Sequence, residues 1–142
     1  MTFAHGKETV IKINLASSPV SGAADISLYV NTSTLTREGD THDVTTYGKD
    51  DHVFAGGLKA GGFTMGGVYD NASSGTPRAI MSDHETEMFN IVRRPEGTGS
   101  GLPQQVITGI LKSYVETNPV ADMVSWTAEF TKSDAINDTA QT

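Results

Sequence analysis

The stretch MVSWTAEFTK, Met123–Lys132, alternates without a break. Val124, Trp126, Ala128 and Phe130 fall on one side, and Ser125, Thr127, Glu129 and Thr131 on the other. A period of two is that of a β-strand with one dry and one wet face. Before it, QQVITGILKSYVE, Gln104–Glu116, is a second strand-like run, and NPVAD between them carries turn residues. With the turn placed within 119–122, the two runs pair as an antiparallel hairpin. Leu111 then faces Phe130 and Val115 faces Trp126 on the core side, while Lys112 faces Glu129 and Tyr114 faces Thr127 on the other. This register leaves Val106, Ile110 and Tyr114 on a face that should be wet, so a helix or another subunit is expected to cover it.

The rest of the chain is of the same kind. TVIKINLA places Ile11, Ile13 and Leu15 on one face, against Lys12 and Asn14. SSPVSGAA, Ser17–Ala24, reads as a turn-rich break. DISLYV sets Ile26, Leu28 and Val30 together, and NTSTLTREGD stays polar and β-prone, with threonines at 32, 34 and 36. HDVTTYG is a further short strand. GGFTMGGVYD places Phe63, Met65 and Tyr69 on one face. One helix is expected: in SGTPRAIMSDHETEMF, Thr76 is an N-cap, Pro77 the first helical residue, and Ile80, His84 and Met88 share a side over two or three turns. The count is about seven strands and one short helix, so the fold class is mainly β, a sandwich or flattened barrel. The expected core is Ile11, Ile13, Leu15, Leu111, Val115, Trp126 and Phe130. Residues 1–132 are expected to form a single domain, and 133–142, SDAINDTAQT, a polar flexible tail.

Composition excludes several classes. The 142 residues carry a formal charge of −7, which argues against a basic surface for nucleic acid phosphates. The absence of cysteine removes disulfides and thiolate metal sites. No apolar run has the roughly 18 residues a membrane span needs. The opening MTFAHGKETV lacks the charged start and apolar stretch of a secretory signal, so a chain made and kept in a cytoplasm is expected. Histidines at 5, 42, 52 and 84 make no metal-binding spacing. DDH at 50–52 reads as a solvated acidic turn, and Asp83 with Glu87 as an exposed helix face. GTGSG at 97–101 is neither a phosphate loop nor followed by a helix pattern, and Arg93-Arg94 reads as a surface pair. Catalytic, cofactor and metal residues are all expected to be none; the function should lie in surfaces.

Three segments in order, DVTTYG at Asp43–Gly48, AGGLKAGGF at Ala55–Phe63, and GILKSYVETNPVADMVSWTAEF at Gly109–Phe130, resemble the major tail protein of long-tailed bacteriophages. DISLYVNTSTLTREGD is similar to the start of that family, and the resemblance covers roughly residues 25–132, most weakly over 71–104. It implies the tail-tube type of β-sandwich or flattened barrel with one flanking helix. Its copies join into rings, hexameric by expectation, and the rings stack into a hollow tube that passes phage DNA without specific binding. It also implies a virion tail location after assembly in the host cytoplasm. Partners are further copies of itself and other tail proteins such as tape measure, tail terminator and distal tail protein, with no membrane. The alternatives are another tail component, a terminator or a baseplate tube protein, or a tail-tip binding β-domain.

The same resemblance implies that a long loop, about 39–62, is mobile in the free subunit and orders on a neighbouring ring. Its residues fit that role. The segment is polar and glycine-rich, yet Tyr47, Val53, Phe54 and Leu58 can bury apolar area against a partner. Residues 36–52 hold five acids against two bases, a balance that repels DNA. Lys112, Thr127 and Glu129 are the candidate lumen or polar sheet face.

Overall fold

The computed structural model describes residues 3–17 and 23–141. Most of the turn expected over 17–24 lies outside the described residues. Eight strands form one antiparallel sheet: β1 (Val10–Leu15), β2 (Ala24–Asp25), β3 (Val30–Asp43), β4 (Phe54–Val68), β5 (Met88–Arg94), β6 (Pro103–Thr117), β7 (Ser125–Lys132) and β8 (Asn137–Ala140). The order is β2-β1-β5-β6-β7-β4-β3, with β8 also on β6. β2 and β3 stand at opposite ends of this order but only residues 26–29 separate them in the chain. Such a short link spans roughly 15 Å at strand rise, so the sheet must curl until its ends meet. The result is the expected mainly β fold of the sandwich or flattened-barrel type, with the hydrogen-bonded ladder itself open between β2 and β3.

The curl is sealed at that link. Ser27–Tyr29 is a 3-10 turn and not the strand continuation expected from DISLYV. The turn buries Ile26 and leaves Leu28 93% exposed, breaking the shared face. The Ser27 hydroxyl accepts from the Ile11 amide at 2.9 Å, where a strand partner would otherwise stand. On the other side the Trp126 indole N–H donates to the Tyr29 carbonyl at 3.2 Å. A side chain at Gly67 would strike that carbonyl, since its Cβ would lie 1.8 Å from the oxygen.

Inside lie Ile11 and Ile13 of β1, Phe89 and Ile91 of β5, Ile107 and Leu111 of β6, Phe63 and Met65 of β4, and Trp126, Ala128 and Phe130 of β7. The Phe89 and Phe130 rings meet edge-on at 5.7 Å. Leu15 is half-buried against this core. Val115 departs from expectation: it is 51% exposed. The cause is a β-bulge. Leu111 does face Phe130, but the register then slips, so that Ser113, not Lys112, faces Glu129, and Tyr114 faces Ala128. Trp126 faces Glu116 and Thr127 faces Val115. One extra residue, Lys112, turns every later side chain over. Tyr114 thereby moves inward and stacks at 6.1 Å on Trp126, which removes one of the three apolar residues expected on the wet face.

Two further corrections concern polar segments. The helix α1 is only Pro77–Met81, capped by the Thr76 hydroxyl, which accepts from the Ala79 amide at 3.3 Å. It ends well before Met88, which opens β5, because Asp83 and Thr86 take left-handed conformations (φ 64° and 69°) that no helix continues through. Met81 is buried beneath it. The tail expected to be flexible instead adds a strand. Asn137–Ala140 pairs with Pro103–Val106, and the Gln141 side chain is buried, donating to the Gly97 carbonyl at 2.8 Å. Polarity misled there, because the free edge of β6 supplies main-chain partners whatever the side chains.

Candidate assembly interface

The segment expected as a loop from 39 to 62 is mostly a two-stranded arm. Gly39 faces Lys59, Thr41 faces Gly56, and Asp43 faces Phe54, with a bulge after Gly39. Only the connection beyond the Val44 amide, which donates to Val53 at 2.8 Å, leaves the ladder. Main-chain hydrogen bonds do not need apolar side chains, so a polar, glycine-rich sequence can still pair. Close approach helps: a Cβ on Gly57 would lie 2.6 Å from Nε2 of His42.

The tip is pinned by Asp43. Its carboxylate accepts from the Thr45 amide at 2.9 Å and from the Thr45 hydroxyl at 2.6 Å, while that hydroxyl accepts from the Val53 amide at 2.8 Å. These bonds hold the Asp43 carboxyl below its ordinary range, with His52 a smaller contribution at 3.6 Å. Gly48 reverses the chain at φ 86°.

What the arm does not do is cover its own apolar side chains. Tyr47 and Leu58 are almost fully exposed, Phe54 is 60% and Val53 41% exposed. Beyond residue 62 the strands join the body, where Gly62 faces Thr131 of β7. The arm therefore projects past the end of β7, with its root at Gly39 and Lys59 beside Lys132, Ile136 and Asp138.

The second candidate surface is the outer face of β3, β4, β7 and β6. Reading across the strands, the rows are Thr32–Gly66–Thr127–Val115, then Thr34–Thr64–Glu129–Ser113, then Thr36–Gly62–Thr131–Ile110. Thr127, Glu129 and Lys112 all lie on it and all are exposed. Lys112 and Glu129 line one shallow groove with Thr36, Thr64 and Thr131, although they are not paired. The Ser113 hydroxyl contacts Glu129 at 3.4 Å in place of the expected lysine. The wall is hydroxyl- and glycine-rich, and its charges are few. The threonines of β3 were visible as T-x-T-x-T; their alignment with Thr64, Thr127 and Thr131 depends on pairings the sequence does not specify.

At the arm's root the Arg37 guanidinium grips Asp138 of β8 through two hydrogen bonds, 3.0 and 2.8 Å. Nothing in the sequence suggested that pair, because it joins residues 101 apart. Arg93, read as a surface residue, instead points inward. It donates to Gln105 at 2.8 Å, and burial, followed by the nearby charge of Arg37, lowers its pKa. Among the described residues no group of three or more His, Asp or Glu side chains is placed to hold a metal ion. No described helix is long and apolar enough to cross a membrane.

No protein-family model matches the chain, and no curated protein matches it by sequence. Solved structures do. A protein of the tail of the empty gene transfer agent particle, of C6 symmetry, superimposes with a TM-score of 0.74 at 19% identity, over 97% of this chain and 100% of that one. The SPP1 tail-tube protein gives 0.78 at 10% identity, over 98% of this chain and 80% of that one. A protein of the anti-feeding prophage baseplate gives 0.67 at 14% identity, over 99% and 97%. The chain thus has the tail-tube fold, over nearly its whole length.

Proposed function

We propose that this chain is the repeating subunit of a hollow tail tube of the long-tailed phage type. One observation carries the reading: a body of tail-tube fold bears a paired arm whose apolar side chains its own body leaves uncovered. Copies join side by side into rings, and the rings stack through the arms, with Tyr47, Val53, Phe54 and Leu58 in the contact. Six copies to a ring is the number supported by the likeness to a C6 tail. Burying Phe54 and Leu58 would contribute about 1.5–3 kcal/mol each. Because the arm is already paired, docking need order little backbone, and most of that gain remains.

The threonine wall with Lys112, Thr127 and Glu129 faces the lumen in this reading. Hydroxyls and glycines offer passing DNA no cationic patch to hold its phosphates. The role is structural and not enzymatic, in a virion tail assembled in the host cytoplasm. Its neighbours there are the tape measure, terminator and distal tail proteins. The likeness to a baseplate protein supports a second reading, a component that forms one ring only. Electron microscopy of the purified protein separates them. Long tubes of uniform diameter are expected; isolated rings favour the second reading, and a monomer at every concentration overturns both.

A further inference from the structure

Arg93 ends a run of inward positions on β5. It stands two residues beyond Ile91 and faces Ile11 in register, and both isoleucines are buried. The strand period therefore carries a guanidinium into the end of an apolar core. A charge so placed is costly unless it is paired and fully hydrogen-bonded. Arg93 is neither. Its Nη1 donates to Gln105 at 2.8 Å, but its buried Nε has no hydrogen-bond partner among the described residues. No described carboxylate forms an ion pair with it. The neighbouring charge that bears on it is a second cation, Arg37, which has Asp138 for its own partner. Arg94, on the opposite side of the strand, is better served, donating to Gln104 at 2.9 Å and to Thr98 at 3.3 Å.

Beside Arg93 lies an open cavity of about 370 Å³, lined also by Thr9, Ser27, Asn31, Thr32 and Ser33. It sits at the seam, between the start of β1 and the start of β3, which share no ladder. Ser33 faces Met65 and is half-buried. The Ser33 hydroxyl and the Asn31 amide group make no hydrogen bond among the described residues. The Asp25 carboxylate is held at Ser27, where it accepts from the amide at 2.9 Å and from the hydroxyl at 2.5 Å.

We propose that this cavity binds a small oxyanion of the phosphate type, between the Arg93 guanidinium and the side chains of Ser33 and Asn31. The chemistry is complementary. A guanidinium offers five N–H donors and no acceptor, and a hydroxyl and an amide add donors of their own. The anion supplies the counter-charge that Arg93 lacks. It also acts as a clasp: Arg93 is on β5 and Ser33 on β3, so one ligand joins two edges that main-chain bonds leave apart. The formal charge of −7 opposes capture from a distance, so affinity rests on these donors. The site belongs to a single subunit and does not depend on assembly.

Inorganic phosphate is titrated into the folded protein at millimolar concentrations, with chloride holding the ionic strength constant. The Arg93 Nε–H resonance, assigned by through-bond NMR, should shift and saturate. The unfolding midpoint should rise with the logarithm of phosphate concentration, by mass action. In Arg93→Gln, which keeps a polar chain without the charge, it should stay flat, and in Arg94→Gln it should rise as in the original. Ser33→Ala keeps the charge and should raise the half-saturating phosphate concentration about tenfold, the worth of one hydrogen bond to a charged partner. A resonance that stays still, or drifts without saturating, overturns the site. So does a midpoint that climbs equally in the original and in Arg93→Gln, as general salt exclusion would give. If Arg93→Gln does not fold, Ser33→Ala decides, and an unchanged half-saturation overturns the proposal.

Discussion

Arg37 and Asp138 lie 101 residues apart in the chain, and their side chains form a two-pronged ion pair, with the closest approach at 2.8 Å. It ties the root of the arm to the last strand. The hydrogen bonds from Arg37 hold the Asp138 carboxyl below its ordinary range. The folded state thus binds a proton less readily than the unfolded chain, and the pair's contribution is present above the unfolded pKa of about 3.9. It is lost as pH falls through the lower folded value. The protection of the Asn137–Ala140 amides, measured against the intrinsic exchange rate at each pH, should therefore fall below about pH 4. In Arg37→Ala the Asp138 carboxyl should titrate higher, which carboxyl NMR measures directly. An unchanged titration would mean that the pair is absent in solution.

Trp126 closes the barrel twice, by filling the core and by donating to Tyr29 across the seam. Trp126→Ala should cost about 3–5 kcal/mol. Trp126→Phe, which keeps most of the packing but strands the Tyr29 carbonyl, should cost less, about 1–3 kcal/mol. Denaturant unfolding measures both, and a Trp126→Phe protein as stable as the original would mean the hydrogen bond is immaterial.

Lys112 tests the bulge. Removing it joins Leu111 to Ser113, and strict alternation then still points Tyr114 inward and Ser113 outward. Deletion of Lys112 should therefore leave a folded protein with Trp126 buried, as its blue-shifted emission would record. Inserting a second residue beside Lys112 should invert one half of β6 and unfold it. If the deletion unfolds the protein and the insertion does not, the bulge is misplaced.

These corrections mark what the sequence carried. Period-two alternation located β7, β1 and the inward residues Trp126, Phe130, Ile11 and Ile13, because burial on one face dictates it directly. Thr76 and Pro77 were legible because a helix start has local chemistry. The bulge at Lys112 was not, since a two-residue apolar ambiguity around Tyr114 and Val115 fits either phase. Nor was β8: a strand made of Asn, Asp, Thr and Ala is held by a neighbour's edge and leaves no pattern. Tyr47, Val53, Phe54 and Leu58 stood out as apolar residues in a polar stretch. The paired backbone beneath them did not, because ladder hydrogen bonds are blind to side-chain polarity.

Among the described residues Tyr114 carries the one strongly shifted group. Burial, followed by the neighbouring Glu116 carboxylate, raises its phenol well above the ordinary value. The unfolded chain would ionise near pH 10, so the folded state holds its proton longer. That contribution is present at neutral pH and disappears as pH rises through the folded pKa. Alkaline unfolding should begin near pH 10 and should be delayed in Tyr114→Phe. Absorbance at the tyrosinate band, followed alongside unfolding, decides it: Tyr114 ionising without loss of structure would contradict the burial.

The arm offers the sharpest separation of folding from assembly. None of the buried core side chains lies between residues 39 and 62. The body's ladder is complete from Gly62 onward on β7, and Arg37 still reaches Asp138. Glu38 faces Ala60 and Gly39 faces Lys59, so replacing residues 40–58 by Asn-Gly closes β3 onto β4 with a two-residue hairpin turn. The trimmed protein should fold with its core intact and its unfolding midpoint nearly unchanged, since it loses exposed side chains only. It should also sediment without forming tubes at concentrations where the whole chain does, because Tyr47, Val53, Phe54 and Leu58 are gone. Tubes from the trimmed chain would make the arm dispensable for stacking. Loss of the folded body would mean that the arm braces the sheet it leaves, against the independence its exposure implies.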